Sequence, residues 1–370
     1  MWEWRHRSHN RDVIRFARER VLELIAAALA AFFLLTGRVT PRAAARAIDV
    51  DLLLVLFALL VAVEIVRASG YLDVVVVKTV ARFHTTRGFA FALIVMTGAL
   101  ASLVTNDVTL FVVIPFTIVA SRFSDFDVED AVVLEVIASN LLGCLTPLGN
   151  PQNLFVFHQS GWSAARFVAT MAPFVACSFA GLLLALFLLG PSRRLEKTDL
   201  HLPPRDGRMA IAGAICFALV LLEIARVVSA WPAALAALVA AAFFLRRRAL
   251  EIDFSIVPLF FFAFIVIAGL PRVRMTNLFW AAIGLSQVIS NVPATVLLSP
   301  FARGDWRTLL YGVNAGGCGT IVASLANLLG WRIYVRESNR DRRFFWRLTA
   351  VNVAFLAWVV LTSYFYRGRL

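Results

Sequence analysis

The sequence predicts an all-α polytopic membrane protein of two inverted-topology repeats, each with a re-entrant helical hairpin and a broken transmembrane helix. Composition carries the first part. Hydrophobic residues fill 60% of 370 positions and charged residues 16%, with a mean hydropathy of +0.80, so a water-soluble globule of this size would have too little polar surface. Duplication carries the second. Asn140, Gly143, Cys144, Thr146, Asn153 and Leu154 recur at one constant offset as Asn314, Gly317, Cys318, Thr320, Asn327 and Leu328. Ahead of them, Thr105-Asn106-Asp107 with Pro115-Phe116 is matched by Ser290-Asn291-Val292 with Pro300-Phe301 at the same spacing.

The elements follow in order, since a helical span needs roughly 17 to 25 apolar residues. Residues 1–47 read as a basic tail and a first span near 21–36; no small-residue cleavage site follows the Arg- and Trp-rich start, so this span is expected to stay. Repeat one, 48–190, opens on Ile48-Asp49 and holds a span near 50–66, a hairpin within 89–120, a broken segment at 128–160 and a span at 164–190. Residues 71–83, with Asp73, Lys78 and Arg82 around Val74 to Val77, read as a helix lying in the interface. A basic linker from Pro191 and two connecting spans, near 209–228 and a short one near 230–245, fill 191–251. Repeat two, 252–370, opens on the matching Ile252-Asp253 and continues as a span at 254–270, a hairpin at 276–302, a broken segment at 308–331 and a span at 348–366. Repeat one begins with a span entering from outside and repeat two from the cytoplasmic side, so the second copy is upside down.

A formal charge of +13 would suit nucleic acid, but the Arg residues sit in short connections between apolar spans and read as positive-inside signals. With a cytoplasmic amino terminus, 25 of the 36 Lys and Arg fall inside, while Arg38, Arg42 and Arg46 fall outside. The expectation is a multi-pass protein of a bacterial inner membrane, in contact with lipid and with no nucleic-acid partner. Cys144, Cys177, Cys216 and Cys318 lie in apolar segments without metal-ligand spacing and read as small packing residues. No metal, cofactor or catalytic residue is expected: no His-Glu-x-x-His, Gly-x-Ser-x-Gly or paired acid motif stands at a break, and no nucleotide-binding domain is present to drive a pump.

The segment Gly88 to Ser121 is about twice the length of one crossing and carries its polar tripeptide at the centre. Two half-length helices meeting at that tripeptide fit this pattern, and amide or hydroxyl side chains, or a bound ion, would serve the exposed backbone. Ser286, Ser290 and Asn291 occupy the same place in the second copy, where Pro293 falls at the start of the returning helix. In the broken segments, Gly143, Pro147, Gly149 and Pro151, and then Gly316, Gly317 and Gly319, end a half-helix and free its carbonyls. Carbonyl ends favour a cation, and restarting amino ends favour an anion. Matched breaks in two halves point to a transport site.

At these residues the chain resembles the ion transporter superfamily, most closely its citrate-transporter-like permeases, from about Ile48 onward. The resemblance implies alternating access with sodium or protons as coupling ion and a small anion such as a di- or tricarboxylate as substrate. It implies that Asn106 and Asn291 contact substrate and cation, that the loops at Gly143 to Asn150 and Gly316 to Ser324 complete the sites, and a possible homodimer. With the residues read above, the expected substrate contacts are Asn106, Asp107, Asn291, Thr146, Thr320 and Asn150, and the expected cation contacts Thr105, Asn106, Gly143, Ser290, Asn291 and Gly317. The tips depart from the family's Ser-Asn-Thr, and Asp107 is closer to the Asn-Asp tip of arsenite permeases. A carboxylate there repels an anion unless protonated or paired with a cation, which opens a second expectation of a proton-driven antiporter or oxyanion exporter. Asp107 and Glu135, five residues before Asn140, are the proton-coupling candidates. Glu64 and Glu223 are expected to pair with Arg67 and Arg226, His158 to be solvated, and Trp162, Trp231 and Trp306 to anchor in the interface.

Overall fold

A computed structural model describes residues 21–71, 74, 78, 85–121, 128–188, 204–252, 254, 256–270, 275–338 and 342–367. The basic tail, most of the interfacial helix read at 71–83 and most of the linker from Pro191 lie outside the described residues. Sixteen α-helices are described. α1 (Val21–Leu35) and the short α2 (Pro41–Ala47) precede the first half, in which come α3 (Val50–Ala68), α4 (Thr86–Val104), α5 (Asn106–Ser121), α6 (Val128–Gly143), α7 (Pro151–Ser160) and α8 (Ala164–Leu188). α9 (Gly207–Ile224) and α10 (Ala230–Ala240) connect it to α11 (Ile256–Gly269), α12 (Leu278–Ile289), α13 (Asn291–Ala302), α14 (Trp306–Gly316), α15 (Leu325–Ser338) and α16 (Arg342–Arg367).

The helix starts are written locally. Asp49, Thr85, Asp206 and Asp305 each accept a backbone N–H of the first turn of the helix they precede, each cap worth about 1 kcal/mol. The Thr85 cap starts α4 three residues earlier than the apolar pattern suggests. α4 and α5 therefore run 19 and 16 residues, longer than the half-length arms expected, while α12 and α13 have 12 each. By length and composition α4, α8, α9 and residues Arg343–Ser363 are each long and apolar enough to cross a membrane. The segment Ala230–Glu251, weak in sequence, bends by 77° into α11: α10 passes into a π turn over Ala241–Leu245 and a 3-10 turn over Arg246–Glu251.

The halves interlock with the same pattern. In each, the first hairpin arm lies along the half-helix before the break, α4 on α6 and α12 on α14, while the second arm crosses to the other half, α5 on α15 and α13 on α7. α3 and α9 with α10 pack together, as do α11, α1 and α2. This exchange is compatible with an inverted duplication. Small residues permit the close approach. A Cβ on Gly98 would stand 2.7 Å from the Leu142 side chain and one on Gly143 2.8 Å from the Ala101 Cβ; in the second half, a Cβ on Gly312 would stand 2.7 Å from that of Ala282 and one on Gly316 2.7 Å from the Ser286 hydroxyl.

Candidate functional site

Both hairpin tips turn on a non-glycine residue in the same unusual conformation. Thr105 has φ 84° and ψ 150°, and Ser290 has φ 73° and ψ 153°. Side chains rarely adopt this region, at a cost of about 1–3 kcal/mol each, and such strain concentrates at functional sites. The tripeptides that look like hairpin tips in sequence are tips in the structure. Glycine at position 290 should relieve the strain at the expense of the hydroxyl. Ser290→Gly is expected to raise the melting temperature while slowing transport, and Ser290→Ala to slow transport without that rise; a lower melting temperature for the glycine variant would refute the strain.

Behind each tip the break is held by an asparagine of its own half and joined to the other half by a second one. Asn327 donates from Nδ2 to the Gly317 carbonyl at 2.9 Å and the Thr320 carbonyl at 3.1 Å, and its Oδ1 accepts from Asn140 Nδ2 at 2.8 Å. The counterpart repeats this. Asn153 donates to the Cys144 and Thr146 carbonyls at 3.2 and 3.4 Å, and its Oδ1 accepts from Asn314 Nδ2 at 2.9 Å. Asn140 is the larger hub, accepting at Oδ1 from Asn106 Nδ2 (3.3 Å) and Ser324 Oγ (2.8 Å). Asn314 Oδ1 accepts from Gln152 Nε2 at 3.4 Å. All these amides are buried, where an unmet amide is expensive, so the paired frame fixes both breaks relative to one another.

The breaks are also stitched to their hairpins. The Thr146 hydroxyl donates to the Ser102 carbonyl, and the Thr320 hydroxyl to the Gln287 carbonyl at 3.0 Å. Ser102 and Gln287, three residues before their tips, answer with side chains: Ser102 Oγ donates to the Leu142 carbonyl at 3.0 Å, and Gln287 Nε2 to the Gly316 and Cys318 carbonyls at 2.9 and 3.0 Å. Thr146 and Thr320 thus spend their protons on backbone and keep only acceptor capacity. Gly143 packs on Ala101, and Gly317 lies against the Asn291 amide, where a Cβ would come to 2.9 Å of Nδ2.

The two halves differ chemically where the repeats differ in residue. Asp107 stands in the first turn of α5, its backbone N–H donating to Asn106 Oδ1 at 2.9 Å, whereas the matching position is Val292. Asn150, buried, has an Oδ1 that meets no donor among the described residues, whereas its counterpart Ser324 serves Asn140. The structure thus brings together Asn106, Thr146, Gly143 and Thr105 around one break and Asn291, Ser290, Thr320 and Gly317 around the other. Asn140, Asn153, Asn314, Asn327, Gln152, Ser102 and Gln287 are additional to the expected set. Four of these could have been found, because both asparagine pairs keep the constant offset of the duplication.

Outside this centre, Glu135 is fully buried on α6; its Oε1 accepts from the Thr117 hydroxyl of α5, and its Oε2 meets no hydrogen-bond partner among the described residues. Glu64 pairs with Arg67 as expected, at 2.7 Å. Glu223 does not pair with Arg226, which follows the end of α9 with φ 59° and donates to the Trp162 carbonyl. Its partner is His158, at 3.6 Å, so the expectation of a solvated histidine is also corrected. Trp162 is buried, with the Arg166 guanidinium 4.9 Å over its ring, whereas Trp231 is exposed.

Two hairpins whose strained tips meet two broken helices, in a multi-pass helical membrane protein, define a secondary transporter. The family follows from comparison with known sequences. The citrate transporter profile matches residues 13–305, and the chain belongs to the citrate transporter family. It is 33% identical over 342 residues to the inner membrane protein YbiR of Escherichia coli, covering 88% of this chain and 89% of that protein. It is 35% identical over 296 residues to the uncharacterized transporter MJ0456 of Methanocaldococcus jannaschii, covering 75% and 79%. A shorter likeness, 28% identity over 173 residues, links 46% of the chain to 20% of the human P protein.

Proposed function

We propose that this transporter couples the movement of a small anion, such as a di- or tricarboxylate, to sodium or protons by alternating access. The observation that carries the proposal is the pair of strained tips at Thr105 and Ser290, each followed by a buried asparagine and seated against a carbonyl-rich break. Arm ends and break carbonyls supply partial negative charge for a cation, and restarting helices supply N–H groups for an anion. The unmatched Asn150 oxygen is a further acceptor of the kind a cation uses. Asn106 and Asn291 bridge substrate and cation, and Thr146 and Thr320 contribute acceptor oxygens. No organic cofactor enters this scheme. The protein lies in the inner membrane with its amino terminus cytoplasmic.

Asp107 favours a second reading. An acid in the first turn of a hairpin arm, where the other half has valine, gives proton-driven antiport or oxyanion export a residue to act through. Proteoliposomes distinguish the two. With labelled citrate and succinate, the first reading expects accumulation driven by an inward sodium or proton gradient and none without it. The second expects no gradient-driven uptake, and instead loss of internal arsenite or cation on imposing a proton gradient that Asp107→Asn abolishes. Uptake indifferent to both gradients would refute coupling in either form.

A further inference from the structure

The end of α7 remote from the break carries a cluster that the transport site does not use. His158, in the last turn of α7, has a side chain only 10% exposed. Its Nδ1 lies 3.8 Å from Asp49 Oδ2, at the N-cap of α3, and its Nε2 lies 3.6 Å from Glu223 Oε1, in the last turn of α9. Asp49 is otherwise engaged: Oδ1 accepts from the Leu52 N–H at 3.0 Å and Oδ2 from Gln159 Nε2 at 3.3 Å. His158 Nε2 and Glu223 Oε2 are buried and meet no hydrogen-bond partner among the described residues. Two acids and an imidazole from three separate helices therefore converge with incomplete hydrogen bonding.

We propose that Asp49, His158 and Glu223 form a proton-binding site that holds α7 against α3 and α9. A neutral imidazole between two ionised carboxylates leaves two negative charges close together, that of Glu223 largely shielded from water and that of Asp49 partly so. One proton shared within the His158–Glu223 pair removes one of them, whichever atom carries it, and supplies the missing donor. Helix ends act in the same direction. An imidazolium at the C-terminal end of α7 is favoured by the helix dipole, and an ionised Glu223 at the C-terminal end of α9 is disfavoured. Burial is the largest effect opposing a charge on the imidazole; of the other charged groups around the cluster, Asp51 of α3 adds negative potential, and Arg226 beyond α9 opposes uptake while its guanidinium serves the Trp162 carbonyl. Of the second-half helices packed on α7, α13 carries no titratable residue. In α14, Arg307 lies over the Tyr311 ring and Tyr311 donates to the Thr170 carbonyl at 2.6 Å.

The consequence is mechanical. His158 follows Asn150 by eight residues along α7, so the cluster is roughly 12 Å along the helix axis from the break at Asn150. A proton at one end thereby secures the helix whose other end builds the transport site. The folded protein should hold more protons than the unfolded chain near neutral pH, so stability falls as pH rises.

The test is the melting temperature of the detergent-purified full-length protein between pH 6 and pH 8.5. Wild type is expected to lose at least about 3 °C more than Glu223→Gln, whose amide stands in for the protonated acid and flattens the dependence. An equal loss in both overturns the proposal. Should Glu223→Gln fail to fold, Asp49→Asn replaces it, because asparagine caps a helix as well as aspartate does. There the pH-dependent loss is expected to shrink, and an unchanged loss again overturns the proposal. The readout involves no transported solute, so its outcome is separate from that of the coupling experiment.

Discussion

Asn140→Ala is expected to abolish transport while leaving a protein that inserts and purifies. The side chain gives one hydrogen bond to Asn327 and receives two, from Asn106 and Ser324. It thus joins hairpin tip, broken helix and opposite repeat in one residue. Interhelical hydrogen bonds in membranes average about 0.6 kcal/mol, so three together contribute about 2 kcal/mol, a loss a protein of this size survives. Function is more sensitive. Releasing Asn106 and Asn327 lets the tip and the second break shift relative to one another, and misplacement by about 1 Å costs about 100-fold where geometry sets the rate. Initial uptake per reconstituted protein measures this. Ser324→Ala, which removes a single donor, should lose less, and wild-type uptake in Asn140→Ala would contradict the hub.

Gly149→Ala should be the most damaging small substitution, acting on the fold before the site. A Cβ at that position would overlap the Gly143 carbonyl oxygen and crowd that of Ala101. These are backbone atoms of the break and of the hairpin arm, so no side chain can rotate away. Overpacking usually costs about 1–3 kcal/mol where side chains give way, and here the obstacle is rigid. Loss of the monodisperse peak in size-exclusion chromatography of the solubilised variant is the expected result. Gly284→Ala is the control: nothing lies within 4 Å of the added carbon, and α12 should gain about 1 kcal/mol of helix propensity. Equal behaviour of the two variants would mean that the first break is not packed as described.

Hydropathy and duplication made most of the architecture legible. The breaks at Gly143 and Gly317 and the tips at Thr105 and Ser290 were readable because the sequence states each twice. Spans bounded by apolar periodicity agree with the helices to within a few residues wherever a cap residue stands at the boundary. What the sequence left open depends on contacts between distant segments. Nothing local says that Asn140 meets Asn327, 187 positions away, instead of its own half. Ser102 and Gln287 do the same work with different side chains, so residue identity hides their equivalence. Glu223 and Arg226 have the spacing of a helical ion pair, but the chain leaves the helix between them and turns left-handed at Arg226. Glu223 consequently faces His158, which no spacing rule could supply.

The central claim, that the two tips and the two asparagine frames enclose one site for an anion and a cation, is tested most directly by ligand-dependent thermal stabilisation. Citrate, succinate, sulfate and arsenite are screened on purified wild type and Asn140→Ala, with and without sodium and at two pH values, since a ligand that binds the folded state raises its melting temperature by mass action. The account predicts that one anion class stabilises wild type only with sodium or at low pH, and that the stabilisation disappears in Asn140→Ala. Equal stabilisation of both proteins would place the ligand elsewhere and contradict it.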